Sequence, residues 1–229
     1  MGETVVSLDP APLARAVLIP PVGLPGEWTL PAEAVGVVLF AHGSGSSRTS
    51  PRNLAIAELL HRRRLGTLLF DLLTITEAET RAKVFDIDLL ARRLVEATDW
   101  ATAQAEAAGL PLGYFGASTG AAAALKAAVI AAHPIGAIVA RGGRPDLAED
   151  ALPRVTAPTL LIVGGDDTTV LALNRAALAR LADPKRLAVI PGASHLFEEP
   201  GALEQVAVLA ADWFRQHLIS SRRRYAKEG

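Results

Sequence analysis

The chain has 229 residues, enough to bury one sizeable core, and half of them are apolar while 21% are charged. Its formal net charge is -1 and its basic residues are scattered, which excludes the broad electropositive surface that nucleic-acid binding requires. The chain contains no cysteine, so it excludes disulfides, thiolate metal sites and a cysteine nucleophile.

The composition predicts one domain, over residues 1–219, followed by a polar tail over residues 220–229. Met1–Pro10 has neither the basic nor the apolar region of a secretory signal. No apolar run reaches the roughly 18 residues that a membrane span requires. We therefore expect a cytoplasmic protein with no membrane partner.

The first thirty residues form short β-like pieces that prolines and a glycine interrupt. These pieces are Thr4–Leu8 and Glu27–Leu30, with Pro20, Pro21, Pro25 and Gly26 around them. Proline cannot donate to a sheet's hydrogen-bond ladder and is confined to edges, so this segment predicts an antiparallel edge.

Beyond residue 34 the chain alternates between continuous apolar runs and helical patterns. The runs predict strands buried on both faces, at Val35–Ala41, Thr67–Leu72, Leu112–Phe115, Ala137–Ala140, Thr159–Val163 and Leu187–Ile190. The helical patterns lie at Asn53–Arg64, about Phe85–Ala108, Thr119–Ala132, Val170–Leu181 and Leu203–Leu218. This alternation predicts an α/β fold with a doubly wound, mostly parallel sheet.

The connections between these elements are short, so they leave no room for a lid domain. The loops that carry the site, such as Ser44–Arg48 and Asp166–Thr169, are small and polar. We therefore expect an open cleft with little apolar wall for a long acyl chain.

The strongest local signal is Gly116-Ala117-Ser118-Thr119-Gly120, a G-x-S-x-G that follows a strand and opens a helix. This is the setting of the nucleophile elbow, where the serine hydroxyl stands at the end of the strand. A glycine-rich turn that only packs a helix on a strand can have the same G-x-S-x-G sequence. The position of two further residues favours the nucleophile.

An α/β-hydrolase triad runs in the order serine, acid, histidine along the chain. After the strand Thr159–Val163, the turn offers two carboxylates, Asp166 and Asp167, and the spacing from Gly164 to Val170 favours Asp167. Asp166 is then expected to serve the turn or cap the next helix. His195 follows the next strand, and it is the one histidine of the chain in a loop at the expected strand end.

The loop His42-Gly43-Ser44-Gly45-Ser46-Ser47-Arg48 follows the first buried strand, where an oxyanion-hole amide is expected. We predict the backbone N–H groups of Ser44 and Thr119 as the two donors. A phosphate-binding loop is the rival interpretation, but neither of its glycine patterns is present. The roles of Arg48, Asp71 and Arg141, which lie at strand ends nearby, stay open.

Five segments together resemble the dienelactone-hydrolase-like branch of the α/β-hydrolase superfamily: HGSGSS, GYFGASTGAAAA, ARGGRPDLA, LLIVGGDDTTV and PGASHLFEEPG. The resemblance covers about Val35 to Leu218. It implies the α/β-hydrolase fold and the assignment of Ser118, Asp167 and His195 as the catalytic residues. Authentic dienelactone hydrolases carry a cysteine nucleophile, whereas this chain has Ser118.

The expected function is a serine esterase that cleaves carboxylic esters of short to medium acyl chains through an acyl-enzyme. A thioesterase, an acyltransferase or a peracid-forming enzyme would use the same triad. A non-catalytic ligand-binding protein on the same scaffold is the alternative outside enzymes. The expected partner is a small-molecule ester, and the residue spacing implies no metal and no organic cofactor. The sequence does not indicate an oligomeric state.

Overall fold

The computed structural model describes residues 13–228, and these are built around one eight-stranded sheet. In chain order the strands are β1 (Leu13–Ile19), β2 (Leu24–Leu30), β3 (Gly36–Ala41), β4 (Leu65–Phe70), β5 (Leu112–Ala117), β6 (Ile135–Arg141), β7 (Thr159–Gly164) and β8 (Lys185–Ile190). Their order across the sheet is β1-β2-β4-β3-β5-β6-β7-β8. The six strands β4-β3-β5-β6-β7-β8 pair in parallel. Strand β2 pairs antiparallel with both β4 and β1. The predicted α/β class and antiparallel edge are confirmed.

Seven helices accompany the strands within the described residues. They are α1 (Pro51–Arg62), α2 (Ile75–Ala78), α3 (Arg81–Val84), α4 (Ile87–Thr102), α5 (Thr119–Ile130), α6 (Thr168–Arg180) and α7 (Ala202–Glu228). The apolar sides of α4, α5 and α6 join one core cluster, and those of α1 and α7 join another on the opposite face of the sheet. The sheet is therefore covered on both faces, as a parallel sheet requires.

The central strands are continuous apolar runs because both of their faces are buried. In β3, Val37 and Leu39 pack into the first core cluster, while Val38 and Phe40 pack into the second. Successive strand residues point to opposite faces, so a strand with two covered faces needs apolar residues at every position. All six residues of β3 are buried.

The N-terminal edge differs from its prediction in one respect. Strand β2 contains the predicted Glu27–Leu30, but β1 at Leu13–Ile19 was not predicted. Most residues of β1 are exposed, so this edge strand lacks the apolar run that identifies the central ones. The predicted piece Thr4–Leu8 lies outside the described residues.

The last helix is longer than expected. We predicted a polar tail from residue 220, but α7 continues to Glu228. Arginine, alanine, lysine and glutamate all have high helix propensity, so a polar end of this composition extends a helix that the core has already nucleated. Among the described residues, no helix combines the length and apolar character that a bilayer crossing needs.

The segment between β4 and α4 is built differently from the predicted connection. Two four-residue helices, α2 and α3, precede α4, and α4 itself begins at Ile87 and ends at Thr102. Thr74 caps α2 through a capping box with Glu77, and Asp86 caps α4 at the amide of Leu89. Helix α4 lies within the predicted helix at about Phe85–Ala108, whereas α2 and α3 precede that range and were not predicted.

Helix α5 lies very close to the end of β3, because Gly120 has no side chain. A Cβ atom placed on Gly120 would lie 2.1 Å from the carbonyl oxygen of Ala41. That contact is backbone, so it cannot be relieved by turning a side chain. Gly120 therefore lets the helix that follows Ser118 approach the loop that begins at His42.

Gly120→Ala should destabilise the fold by about 1–3 kcal/mol, the usual cost of forcing extra volume into a packed site. Chemical denaturation of the variant measures this loss. Lys126→Ala, on the same helix at the partly exposed ion pair with Asp88, is the control and should change stability by less than about 0.5 kcal/mol. Equal stability of the two variants would contradict the close approach at Gly120.

Candidate active site

Ser118 occupies a strained turn between β5 and α5. Its φ of 50° and ψ of -118° are unusual for a residue with a side chain. Hydrogen bonds hold this turn: the Ser118 N–H donates to the carbonyl of Arg141 at 3.2 Å, and the Ser118 carbonyl accepts from the amide of Arg144 at 3.0 Å. Ser118 precedes the first helical residue, so it stands at the positive end of α5. The backbone at Ser118 is that of a nucleophile elbow.

Asp167 and His195 are brought together across two neighbouring strand ends. The His195 Nδ1–H donates to Oδ2 of Asp167 at 2.6 Å. The other carboxylate oxygen of Asp167, Oδ1, accepts from the amide of Val170 at the start of α6, at 3.4 Å. Asp167 thus has both oxygens engaged, which fixes the carboxylate that orients the imidazole.

Of the two roles expected for Asp166, serving the turn or capping the next helix, the helix cap is wrong. The helix cap belongs to Asp167, because the carboxylate that contacts His195 also reaches the first turn of α6. Asp166 is exposed, and its amide donates to the carbonyl of Ala193 at 3.0 Å. Asp166 therefore joins the two loops through its backbone, and its side chain faces solvent.

The loop that carries Asp167 lies against the loop that carries His195. A Cβ atom on Gly164 would lie 2.2 Å from the carbonyl oxygen of Ala193 and 2.6 Å from that of Ser194. Only a glycine allows backbone to approach backbone this closely. The absence of a side chain at Gly164 therefore sets the distance at which Asp167 meets His195.

The two predicted oxyanion donors lie next to each other, with one complication. The Ser44 N–H donates to the side-chain Oγ1 of Thr119 at 3.0 Å. Thr119 is the first residue of α5, where a backbone N–H has no acceptor within the helix. The Ser44 N–H is therefore already hydrogen-bonded to the Thr119 hydroxyl in this structure. The backbone N–H of Thr119 makes no hydrogen bond within α5.

His42 holds in place the loop of residues 42–48, which we call the oxyanion loop after its predicted donor Ser44. Its Nε2 accepts from the amide of Leu72 at 3.1 Å, so its Nδ1 carries the proton and donates to the carbonyl of Gly43 at 3.0 Å. Burial lowers the pKa of His42, against the smaller opposing effects of Gly43 and Asp71. The neutral imidazole that this geometry needs is therefore also the form that burial favours.

Arg48 and Asp71 form the second anchor of the same loop. The carboxylate of Asp71 accepts from the backbone amide of Arg48 at 2.7 Å and also binds the Arg48 guanidinium. Both residues had open roles in the sequence. In the structure they join the loop after β3 to the loop after β4, so they support the site from outside.

An apolar cavity of 210 Å³ opens beside Ser44. Its wall comes from the oxyanion loop and from the segment that includes α2 and α3, with side chains of Leu72, Leu73, Ile75, Ala78, Val84 and Leu90. We expected little apolar wall, because the loops next to the triad are polar. That expectation was wrong, because the wall comes from the β4–α4 segment.

The Arg141–Asp146 segment divides into two parts. Arg144 and Asp146 form a bidentate ion pair, in which Arg144 Nε and Nη2 donate to the Asp146 carboxylate at 2.7–3.2 Å. This pair stabilises a turn. Arg141 is buried at the end of β6, beside the backbone of Ser118.

Within residues 13–228, no cluster of three or more histidine, aspartate or glutamate side chains is arranged to hold a metal ion.

No family profile matches the chain. Among solved structures, the dienelactone hydrolase from Anabaena variabilis is 55% identical, with a TM-score of 0.86 over 92% of this chain and all of that one. The chain belongs to the dienelactone hydrolase family. As a member of this α/β-hydrolase family, it also shares its fold with an esterase domain from Rhodothermus marinus, at 18% identity and a TM-score of 0.71 over 91% of this chain and 99% of that one. Family and fold support a hydrolase.

A relative from Mycobacterium tuberculosis, provisionally named a phosphoribosyl transferase, is 57% identical over 202 residues. The match takes in 88% of this chain but 46% of the relative. This dienelactone hydrolase family member thus spans about half the length of that curated relative.

Asp167→Asn should reduce hydrolysis far more than Asp166→Asn. An asparagine at 167 no longer fixes the tautomer of the histidine, an effect that reaches on the order of ten-thousandfold in kcat in triads of this kind. Asp166 contributes its backbone to the site, and Asp166→Asn leaves that backbone intact. Steady-state kinetics of both purified variants on one activated ester measure the difference, and the reverse ranking would assign the acid to Asp166.

Proposed function

We propose that this chain is a serine esterase that hydrolyses carboxylic esters of short to medium length, with Ser118 as nucleophile, His195 as base and Asp167 as the acid that orients it. One observation carries the proposal: the 2.6 Å hydrogen bond from His195 to Asp167 lies at the same sheet edge as the strained turn at Ser118. The partner is a small-molecule ester.

In the proposed first step, His195 removes the proton of the Ser118 hydroxyl as its oxygen attacks the ester carbonyl. The tetrahedral oxyanion then collapses, the alcohol leaves with the proton held by His195, and an acyl-enzyme remains. Water then repeats the sequence: His195 takes a proton from water as the water oxygen attacks the acyl carbon. The second oxyanion collapses and releases the acid, while His195 returns the proton to the Ser118 oxygen. The bond to Asp167 stabilises the imidazolium in both halves.

The oxyanion is bound by the backbone N–H of Thr119 and, in our proposal, by that of Ser44. The Ser44 amide must first exchange its bond to Thr119 Oγ1 for the substrate oxygen, since an N–H has one proton to donate. An anionic acceptor favours that exchange, because a hydrogen bond to a charged oxygen is roughly twice as strong as one to a neutral hydroxyl. The exchange links the strength of the oxyanion hole to the charge that develops in the transition state.

The apolar part of the ester is proposed to bind in the cavity beside Ser44. Its 210 Å³ is below the range of about 300–1,000 Å³ in which drug-sized ligands bind. Each methylene that enters contributes about 0.8 kcal/mol, so binding improves until the cavity is full and then stops improving. This supports a substrate of limited chain length.

Ser118→Ala should fold normally and lose at least about a thousandfold in kcat/KM for an activated ester, because nucleophile and base act as a unit. Ser220→Ala, at an exposed position of α7, is the matched control and should leave the rate unchanged. Hydrolysis assays with both purified proteins measure the effect. Comparable rates in the two variants would exclude Ser118 as nucleophile.

A serine-directed fluorophosphonate offers an independent check on the same residue. It should label the unmodified protein once per chain and leave Ser118→Ala unlabelled, as intact-mass spectrometry would report. Labelling that persists in the variant would locate the nucleophile elsewhere.

A series of p-nitrophenyl esters should show a limit on acyl length. We expect kcat/KM to rise by up to about fourfold per added methylene from acetate to the medium-length esters, and to fall well before palmitate. No jump in rate is expected above the solubility limit of the substrate. An optimum at palmitate would contradict the cavity as the acyl site.

Two variants test which residues set this limit. Ala78 is exposed at the cavity wall and Ala82 is exposed outside it, so both tolerate a larger residue. Ala78→Phe should lower the rate for hexanoate and leave acetate unaffected, whereas Ala82→Phe should change neither. If kcat/KM depends on the chain length of the alcohol part of the ester and not on that of the acyl part, the cavity binds the leaving group.

A further inference from the structure

Arg141 is a buried cation that the proposed ester hydrolysis does not use. It is the last residue of β6 and is paired in register with Ala117. Its carbonyl accepts a hydrogen bond from the amide of Ser118. Its relative exposure is 8%, which is unusual for arginine. The guanidinium therefore lies inside the protein, close to the backbone that holds the nucleophile.

Two of the guanidinium nitrogens of Arg141, Nε and Nη1, are buried without a hydrogen-bond partner in the part of the chain that the structure describes. The guanidinium carbon lies 5.9 Å from the centre of the Phe197 ring, in the loop that carries His195. Burial, together with the smaller effect of the nearby cation Arg52, lowers the pKa of Arg141 to about 10. Arg141 remains charged at neutral pH all the same.

Arg52 brings a second cation to the same place. It is the second residue of α1, and its Nε is also buried with no partner among the described residues. Glu198 lies 3.6 Å from Arg52 Nη1, and its side chain is 65% exposed, so it neutralises Arg52 only from the solvent side. The side chain of Arg52 is itself 34% exposed, so a ligand can reach Arg52 from solvent.

The start of α1 adds to the positive potential. Ser50 makes no side-chain capping bond, and the first turn of α1 contains no acidic residue. The N-terminal end of a 12-residue helix carries partial positive charge and unused N–H groups. Two guanidinium groups therefore lie near a helix start, and the ion pair that the described residues give to them is the one between Arg52 and the exposed Glu198.

A buried cation without a partner is strongly unfavourable, and a like charge beside it raises the cost. An anion that binds there removes both penalties at once. A carboxylate would supply one negative charge for two guanidinium groups. Phosphate supplies up to two negative charges and several acceptor oxygens, and it suits both the forked arginine donors and a helix N-terminus.

We propose that Arg141, Arg52 and the first turn of α1 form a binding site for a phosphate group, adjacent to the loop that carries His195. The site is separate from the apolar cavity, because none of its residues lines that cavity. It accepts free phosphate or a phosphoryl group of a small ligand, since the chemistry of recognition is the same for both.

Titration calorimetry with inorganic phosphate, at constant ionic strength in chloride, tests the site on the unmodified chain. We expect saturable binding of one phosphate per chain and weaker binding of acetate. Arg52→Ala and Arg141→Met should each weaken phosphate binding by at least about tenfold, because each removes a charged donor. Arg62→Ala, at the exposed end of the same helix, is the matched control and should bind phosphate unchanged.

Thermal denaturation separates this binding from the general stabilising effect of phosphate on proteins. At ten times its dissociation constant, phosphate should raise the Tm of the unmodified chain and of Arg62→Ala by roughly 3–6 °C more than that of Arg52→Ala. Without phosphate, Arg141→Met should be as stable as the unmodified chain or more so, since it removes an uncompensated buried charge.

Three results would overturn the proposal. The first is no saturable heat with phosphate, and the second is equal phosphate affinity in the unmodified chain and in Arg52→Ala. The third is acetate binding as tightly as phosphate, which would assign the site to a carboxylate. Arg52 is partly exposed, so Arg52→Ala tests the site even if Arg141→Met does not fold.

A phosphorylated ester and its dephosphorylated counterpart distinguish a substrate group from a free effector. A higher kcat/KM for the phosphorylated ester, lost in Arg52→Ala, would show that the site binds the substrate. An equal rate for both esters, together with measured phosphate binding, would support a site for a free phosphate ligand.

Discussion

The site depends on direct contact between backbone segments at the carboxyl ends of the parallel strands. Gly164 brings the acid loop against the carbonyls of Ala193 and Ser194, and Gly120 brings helix α5 against the end of β3. Neither contact leaves room for a Cβ atom. Because His195 and Asp167 extend from loops held this way, their 2.6 Å hydrogen bond depends on positions that carry no side chain. Glycine at such a position costs stability, because it loses more conformational freedom on folding than any other residue.

The oxyanion loop needs a different kind of support, because a sequence of glycines and serines has no apolar side chain to bury. Two polar anchors replace the missing packing: His42 bridges the amide of Leu72 and the carbonyl of Gly43, and Asp71 binds both the backbone and the side chain of Arg48. Since both anchors end on the segment after β4, that segment determines two features together. It holds the oxyanion loop, and it provides the wall of the apolar cavity.

Much of the fold was predictable because the central strands are buried on both faces, so their sequences are continuous apolar runs. The strand β1 was missed because most of its residues are exposed and it lacks such a run. The choice of Asp167 over Asp166 followed from spacing, and Asp167 is the one that contacts His195. The bond from Ser44 to Thr119 could not be predicted, since sequence does not show which hydroxyl competes for an amide. The same holds for the cavity, because part of its wall comes from α2 and α3, two helices of four residues that the sequence did not predict.

Three charged groups around the strand ends are paired, and this makes the buried Arg141 informative. Arg48 is bonded to Asp71, Arg144 to Asp146, and the imidazole of His195 to Asp167. Arg141 lies at the same edge of the sheet and is more deeply buried than Arg48 or Arg144. Two of its nitrogens have no hydrogen-bond partner among the residues that the structure describes. A core side chain selected only for packing has no need of a guanidinium, because an apolar residue of similar length fills the space without the cost of burying charge. Local departures from the rules of packing and pairing concentrate at functional sites, where a ligand supplies what the protein lacks. The guanidinium of Arg141 faces the Phe197 ring, but its two orphaned nitrogens argue for an anionic ligand more strongly than its position in the fold does.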